Sequence, residues 1–199
     1  MGKAIALLIN DLHISKDTIS DFNDNWDEAL EICKENGVYE MFVGGDMFTS
    51  RASQTLDVLL AVKNALYRAF LFNIHVIVAE GNHDKVDQES IFGYNHMFDF
   101  GFNGGVVDTF FVKEYENINL AIMSYFPEGG SFKDKLDELK GVLGNKIGDT
   151  VLYIHEGIHG ALGDFDIPGE LPQKIFSDFH NVLVGHYHNR IHIKNTNIE

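Results

Sequence analysis

The sequence predicts an α/β fold, in which buried strands alternate with helices. Five apolar runs, rich in aliphatic and β-branched residues, stop abruptly at Gly or at a polar cluster, as buried strands do. The polar residues that follow these runs are Asp11, Asp46, Asn82, His155 and His186. Helical patterns separate the first three runs, which favours the α/β class. Ligands of such sheets bind beyond the carboxyl ends of the strands, so the five clusters point to one site.

The first half of the chain alternates regularly between strand and helix. A helix is expected from a cap at Asn23-Asp24 to Gly37, with three apolar residues on one face: Trp26, Leu30 and Cys33. A strand over roughly 40–44 follows. Ser53 is expected to begin a longer helix whose apolar face carries Leu56, Leu59, Leu60, Leu66 and Phe70. A strand over roughly 74–79 then leads into the sequence GNHD.

The second half of the chain is less regular. Strands are expected over Phe110–Val112 and Leu120–Tyr125, and a helix over Lys133–Leu143. The run VLYI, a short helix after Pro172 and the run NVLV complete the pattern.

Composition limits the classes of function. The 199 residues suit one domain, and no apolar stretch approaches the length of about 18 residues that a membrane span needs. The single cysteine, Cys33, and the lack of a secretory signal favour a reducing cytoplasm. The net charge of −15 opposes a broad electrostatic grip on nucleic acid. Bound cations can still supply a local positive field to a phosphate.

The strand-end clusters offer seven metal ligands with oxygen or nitrogen donors: Asp11, His13, Asp46, Asn82, His155, His186 and His188. Such donors without thiolate suit Mn²⁺, Fe or Zn²⁺. The pairs Asp11/His13 and His186/His188 are two residues apart, so on an extended strand end both members point the same way. Seven donors are too many for one ion and suit two ions that share a carboxylate.

The ordered set DLH, GGD, GNHD, His155 and GHYH resembles the calcineurin-like metallophosphoesterases. Within that superfamily the chain is most similar to the SbcD-type DNA-repair exonucleases and their phage relatives. The features of that branch are G-D-x-F followed by Arg51, and the pair Asn189-Arg190 after the final histidine. The resemblance covers residues 5–194. The chain departs from the common pattern at Asn10, where a small hydroxyl residue is usual, and at Thr49, where Asp or His is frequent.

The resemblance implies a two-sheet sandwich flanked by helices, in α-β-β-α layers. It implies two divalent ions, Mn²⁺ in preference to Fe or Zn²⁺, with Asp46 as the bridging ligand. One ion is assigned to Asp11, His13 and His188, and the other to Asn82, His155 and His186. His83 would contact phosphate and assist the leaving group, with Asp84 orienting it. Arg51 would bind phosphate or would be a solvated arginine at a helix start, and both interpretations stay open.

The function that follows is a DNA phosphodiesterase, an exo- or endonuclease of the repair type in which a metal-bridging hydroxide attacks phosphorus. An SbcC-like ATPase is the partner subunit that this resemblance implies. Two alternatives stay open: a phosphodiesterase or phosphomonoesterase of small molecules, and a metal-bearing scaffold without turnover. The resemblance also implies a further strand after Ile191–Lys194 and a DNA-capping region. The single catalytic domain, 1–199, is therefore expected to be truncated at its C-terminus or to be a minimal version.

One local motif suggests a different enzyme. Residues 155–159 match H-E-x-x-H, the zinc-protease motif, which requires both imidazoles on one face of a helix. Here a strand-like run leads directly into the motif and Gly157 interrupts it. A helix is therefore not expected at this position, and a protease would leave the other four clusters unexplained.

Overall fold

Two four-stranded sheets form the centre of the part of the chain that the computed structural model describes, which is residues 3–99, 104–162, 167, 169–188 and 190–199. The first sheet is parallel throughout, and its strands lie in chain order: β1 (Leu7–Ile9), β2 (Glu40–Val43), β3 (His75–Ala79) and β4 (Gly104–Val107). The second sheet also keeps chain order: β5 (Phe110–Glu114), β6 (Asn119–Met123), β7 (Thr150–His155) and β8 (Asn181–Gly185). In this sheet β5 is antiparallel to β6, whereas β6, β7 and β8 are parallel.

Helices cover the outer faces of the two sheets. The α-helices are α1 (Ile19–Asn36), α2 (Leu56–Leu71) and α3 (Phe132–Leu143). Short 3₁₀ helices span Lys16–Thr18, Tyr94–Phe98, Gly144–Asp149 and Gln173–Phe176. Each helix among the described residues is too short or too polar to span a membrane.

Three apolar clusters show the order of the layers. The first joins α1 and α2 to the first sheet, and the second joins α3 to the second sheet. The third lies between the sheets and contains Phe42 and Ile77 from one side and Leu120, Ile122 and Tyr153 from the other. The chain is therefore layered helix–sheet–sheet–helix, which confirms the predicted α/β sandwich.

The helix boundaries partly differ from the sequence prediction. The N-terminal residue of α1 is Ile19, so a cap at Asn23-Asp24 is wrong; Phe22 is buried and gives the first turn its own core contact. Its end at Gly37 is confirmed, because that residue adopts the left-handed conformation with φ of 62°. The N-cap of α2 is Thr55 and not Ser53.

The apolar face assigned to α2 is partly wrong, since Leu59 and Leu66 do lie against the core. The side chains that α2 buries are Val58, Ala61, Val62, Ala65, Leu66 and Ala69. Of the five residues predicted to form the face, Leu56, Leu60 and Phe70 are exposed. Small residues let the helix lie close to its neighbours, so the core face is built mostly of Ala and Val rather than of large apolar residues.

The last residues of the chain lie along the outer edge of β8. The backbone N–H of Val182 donates to Asn197 O and that of Glu199 donates to Val182 O, each over 2.8 Å. Ile198 pairs in parallel with Val182. Residues 197–199 therefore pair with β8 where a further strand is expected.

Candidate metal centre

The carboxyl ends of five parallel strands meet at one edge of the sandwich and bring the predicted ligands together. Asp11 and His13 follow β1, and Asp46 follows β2. Asn82 follows β3 and His155 is the last residue of β7. His186 and His188 come directly after β8. Because both sheets contribute to this edge, the site is built between the two layers.

One half of the site consists of Asp11, His13 and His188. The two Nε2 atoms of the histidines are 3.1 Å apart, and Asp11 Oδ1 lies 3.7 Å from His13 Nε2 and 3.5 Å from His188 Nε2. Donor atoms about 2.1 Å from one ion in tetrahedral geometry are about 3.4 Å apart. Asp11 Oδ1 is buried and has no hydrogen-bond partner. The three donors therefore have the spacing of ligands to one cation.

The other half consists of Asp46, Asn82, His155 and His186. Asp46 Oδ2 lies 3.2 Å from His155 Nε2. The side-chain oxygen of Asn82 lies 3.2 Å from Asp46 Oδ2, 3.2 Å from His155 Nε2 and 3.3 Å from His186 Nδ1. Asp46, Asn82 and His155 are all buried.

The orientation of Asn82 indicates what this half of the site is suited to hold. Its amide oxygen faces only acceptor atoms, and its amide nitrogen faces the guanidinium of Arg51. Without a cation, the amide gains hydrogen bonds by turning over. A cation would instead be ligated by the amide oxygen in its present position, and the Arg51 guanidinium, a donor like the amide nitrogen, would then have to turn away. The donor set therefore fits a second ion.

Asp46 connects the two halves. Its Oδ2 atom is 3.2 Å from His155 Nε2 on one side and 3.6 Å from His13 Nε2 on the other. The other oxygen, Oδ1, accepts a hydrogen bond of 2.8 Å from the backbone N–H of His83. One carboxylate oxygen thus lies within ligand-to-ligand distance of both halves, which is the position of a bridging ligand.

Four of these residues adopt left-handed backbone conformations. The φ angles are 54° at Asp11, 44° at His13, 53° at Asp46 and 100° at His186. Such angles in non-glycine residues cost about 1–3 kcal/mol each and cluster at functional sites. The expectation that Asp11/His13 and His186/His188 lie on extended strand ends is therefore wrong. Their side chains converge because tight turns, rather than strand alternation, aim them.

Backbone hydrogen bonds hold two of these turns against each other. The N–H of Asp11 donates to Gly45 O over 3.1 Å, and the N–H of His13 donates to Asp46 O over 3.0 Å. Gly81 makes the approach of the third turn possible: a Cβ there would lie 2.2 Å from the backbone N of Asp46. The turns after β1, β2 and β3 therefore support one another.

Burial and neighbouring charges determine the protonation of the imidazoles. Burial, together with the charge of His155, lowers the pKa of His186 to about 4. Burial also lowers the pKa of His13, despite the opposing effect of Asp46 and Asp11. Burial would lower the pKa of His155 too, but its hydrogen bond to Asp46 and that carboxylate's charge raise it. His13 and His186 are therefore neutral near pH 7, as metal ligands must be.

His83 lies beside the ligands but is held by a different contact. Its Nδ1 is 2.6 Å from the backbone oxygen of Thr49, and its ring is 5.1 Å from the ring of His13. Asp84 is expected from the sequence to orient the His83 imidazole, but the Asp84 side chain has other partners. Its buried carboxylate accepts from the N–H of Gly81 over 2.7 Å and from that of Phe48 over 2.9 Å. The contact that orients His83 is therefore made by the backbone carbonyl of Thr49. A contact to the backbone cannot be predicted from residue types in the sequence.

Asp84 itself joins the turns after β2 and β3. Burial and the charges of Glu80 and Asp46 raise the pKa of Asp84 to about 8, against the effect of its two backbone hydrogen bonds. Its position is therefore that of a structural support beneath the site.

The two arginines that the nuclease resemblance singles out, Arg51 and Arg190, are both exposed. Arg51 is exposed, and its guanidinium contacts the Asn82 amide at the mouth of the second half of the site. The hydroxyl of Tyr94 donates to the backbone oxygen of Arg51 over 3.0 Å. Arg190 is exposed, and Asn189 lies outside the described residues.

Sequence reasoning missed one supporting residue, Tyr153. Its buried hydroxyl lies 2.8 Å from Ile9 O and 2.9 Å from Asn10 Oδ1. The amide nitrogen of Asn10 in turn donates to Asp11 Oδ2. A tyrosine within an apolar strand run resembles any core residue, so only the alignment of the two sheets identifies this support.

The H-E-x-x-H match has no helical geometry. His155 ends β7, and residues 156–159 form no helix. The backbone N–H of His159 donates to Leu171 O over 3.0 Å. A helical zinc-protease site is thus excluded at this position.

A sandwich with this ligand-lined edge defines the class of α/β metallophosphoesterases. Residues 6–194 match the model of the calcineurin-like phosphoesterase family, and the chain belongs to that family. It is therefore a metal-dependent phosphoric ester hydrolase, of a family that binds a dinuclear metal centre. Among solved structures, the chain is similar to the nuclease MPE of Pseudomonas putida. The match has 17% identity and a TM-score of 0.42, and it covers 83% of this chain and 78% of that one. Comparison with curated proteins finds no match.

Proposed function

We propose that this protein is a phosphodiesterase that uses two divalent ions to hydrolyse nucleic-acid phosphodiesters, as an exo- or endonuclease. The observation that carries the proposal is the position of Asp46 Oδ2, which lies 3.2 Å from His155 Nε2 and 3.6 Å from His13 Nε2. We assign one ion to Asp11, His13 and His188 and the other to Asn82, His155 and His186, with Asp46 shared. Mn²⁺ is the proposed metal, because a mixed imidazole and oxygen donor set accepts it readily.

When bound, two such ions supply positive charge to the phosphate and lower the pKa of water. The chain supplies the positioning. His83 is fixed by Thr49 O at Nδ1, so Nε2 is the atom left to contact a phosphate oxygen and to give a proton to the leaving oxygen. Arg51, whose guanidinium lies against Asn82, adds a positive charge on that side of the site.

Two features support a nucleic-acid substrate. The segment Gly45-Asp46-Met47-Phe48 followed by Arg51 resembles the nuclease branch, and the structure has Arg51 in contact with Asn82, a ligand of the proposed second ion. The half of the site formed with His188 opens to solvent, since 63% of that side chain is exposed. A polymer end could therefore reach the site. With a net charge of −15, such an enzyme would bind DNA weakly alone and need a partner subunit for processive work.

A second candidate is a phosphoesterase of small molecules, favoured by the acidic surroundings of the other rim. Glu170 accepts from the hydroxyl of Tyr187 over 2.7 Å, and Glu128 accepts from the N–H of Gly157 over 3.4 Å. These carboxylates lie close to the turns that carry His155 and His186, where they would repel a polyanion. A metal-bearing scaffold is the third candidate, and loss of turnover with every metal would favour it.

One assay panel separates these candidates. Mn²⁺-loaded protein is given labelled single-stranded DNA, double-stranded DNA, a cyclic nucleotide and a phosphomonoester, with the His83→Ala variant as the matched control. The expected result is cleavage of DNA that chelation abolishes and that the variant lacks. Rapid turnover of a small substrate with both DNAs intact would replace the nuclease by the second candidate.

A further inference from the structure

The outer face of α2 carries an exposed apolar seam. Its members are Leu56, Leu60, Tyr67 and Phe70, which are 69%, 43%, 51% and 47% exposed. Together with Lys63 they follow a spacing of four, three, four and three residues, which is the repeat of a helix that packs along another helix. The rings of Tyr67 and Phe70 stack with centroids 6.2 Å apart. The seam is separate from the core face of α2, so folding of the described residues does not bury it.

An acidic ridge runs along the side of α1 that is nearest to α2. Asp27 of α1 lies 2.8 Å from Arg68 Nε of α2, which fixes the side of α1 that is nearest to α2. Asp24 and Glu31 lie three and four residues from Asp27, hence on the same side, and all three are exposed. Arg68 is the basic residue of α2 on this side, and Asp27 already occupies it. The remaining carboxylates have no such partner among the described side-chain ion pairs.

We infer that the seam and the ridge together dock an amphipathic helix of a partner protein, with apolar residues for the seam and a basic flank for the ridge. Interfaces of this kind bury the apolar repeat and select partners through the charges beside it. Because Lys63 lies within the seam, we expect a carboxylate at the facing position of the partner helix. A second copy of this chain fits less well, since it brings another net charge of −15 and a second acidic ridge.

Designed peptides test this surface directly. One peptide has four heptads with Leu at positions a and d and Lys at e and g, and its matched control has Glu in place of every Lys. Binding of each labelled peptide to the full chain is measured by fluorescence anisotropy at about 0.15 M salt, where long-range charge effects are largely screened. The basic peptide is expected to bind at least about tenfold more tightly than the acidic one.

Two pairs of variants show whether the seam and the ridge are responsible. Leu60→Ser with Tyr67→Ser is expected to weaken binding of the basic peptide about tenfold, whereas the exposed Val142→Ser on α3 leaves it unchanged. Asp24→Lys with Glu31→Lys is expected to weaken it similarly. Asp134→Lys with Asp137→Lys makes the same change in net charge on α3 and should have little effect. All variants should keep the phosphoesterase activity, because none touches the metal centre.

Several outcomes would overturn the inference. The ridge would not discriminate between partners if both peptides bound equally or if neither bound. The same would follow if the charge reversals on α1 and on α3 had equal effects. Sedimentation velocity supplies a further test. A stable dimer that dissociates in the Leu60→Ser, Tyr67→Ser variant would identify the occupant as a second copy and not as a basic helix.

Discussion

The backbone N–H of His83 donates to Asp46 Oδ1 over 2.8 Å, so the proposed bridging ligand and the proposed proton donor are held together by one contact. The other oxygen of Asp46 remains directed at His155 and His13. A carboxylate fixed in this way cannot rotate freely between the two halves of the site. The positions of the ligand and of the imidazole are therefore determined by the same turn after β3.

Replacement of His83 by Ala should separate catalysis from metal binding. The backbone contact to Asp46 survives the substitution, whereas the side chain that reaches the phosphate is lost. We expect two bound ions and a fall in kcat of about 10²- to 10⁴-fold, the usual contribution of a general acid. Elemental analysis and steady-state kinetics measure the two quantities, with the exposed His180→Ala as control. Loss of both ions from the variant would contradict this division of roles.

Replacement of Gly81 by Ala should disable the site through the backbone. A Cβ at this position would lie 2.2 Å from both the N and Oδ1 atoms of Asp46, so the turn after β3 must move. We expect reduced metal affinity and a loss of activity of at least about 100-fold, since small displacements of catalytic groups have effects of that size. Gly148→Ala is the matched control, because nothing lies within 4 Å of its added Cβ. Full activity in Gly81→Ala would contradict the close approach.

The sequence predicts which residues meet at this edge because strand ends are a local signal. An apolar run followed by Asp, Asn or His identifies both the strand and the edge at which its last residues lie. Four of the five strands that end at the site begin and end within about two residues of their predicted positions, whereas β1 begins three residues after its apolar run. The juxtaposition of Asp11, Asp46 and His155 follows from this parallel arrangement.

Other features depend on tertiary contacts that no local pattern contains. The strand β4 begins with Gly104-Gly105 and offers too little apolar character to be predicted. The core face of α2 is rich in Ala and Val, which a pattern of large apolar residues does not select, so only Leu59 and Leu66 of the predicted face lie against the core. The carbonyl of Thr49 orients His83, and backbone carbonyls have no signature in a sequence.

Replacement of Tyr153 by Phe tests the support beneath Asp11. The substitution removes a buried hydroxyl that lies 2.8 Å from Ile9 O and leaves the ring in the core between the sheets. A lost buried hydrogen bond costs about 1 kcal/mol of unfolding free energy, which urea denaturation can resolve. Activity should fall less than in His83→Ala, because the hydroxyl touches no proposed ligand. Tyr39→Phe, at an exposed tyrosine, should change neither quantity. A loss of activity as large as that of His83→Ala would contradict this supporting role and would assign Tyr153 a direct role in catalysis.

Stability should depend on pH through His96. Burial alone would lower the pKa of His96, but its 2.8 Å hydrogen bond to Glu80, the charge of Glu80 and the contact with Asp108 raise it above 6.5. When the pKa of a histidine is higher in the folded state, the protonated form stabilises the protein. This stabilisation is complete below the unfolded-state pKa and is lost as pH rises through the folded-state pKa. We expect the free energy of unfolding of the wild type, relative to His96→Gln, to be greatest near pH 6 and to shrink above neutral pH. A constant difference across this range would contradict the charged contact.

The sharing of Asp46 by two ions is tested most directly by titrating Mn²⁺ into chelator-treated protein. Bound metal and hydrolysis of an aryl phosphodiester are recorded together, for the wild type and for Asp46→Asn. We expect activity to reach its plateau only when about two ions are bound per chain, and Asp46→Asn to lose most activity at the same occupancy. Full activity with a single bound equivalent in the wild type would contradict the two-ion centre.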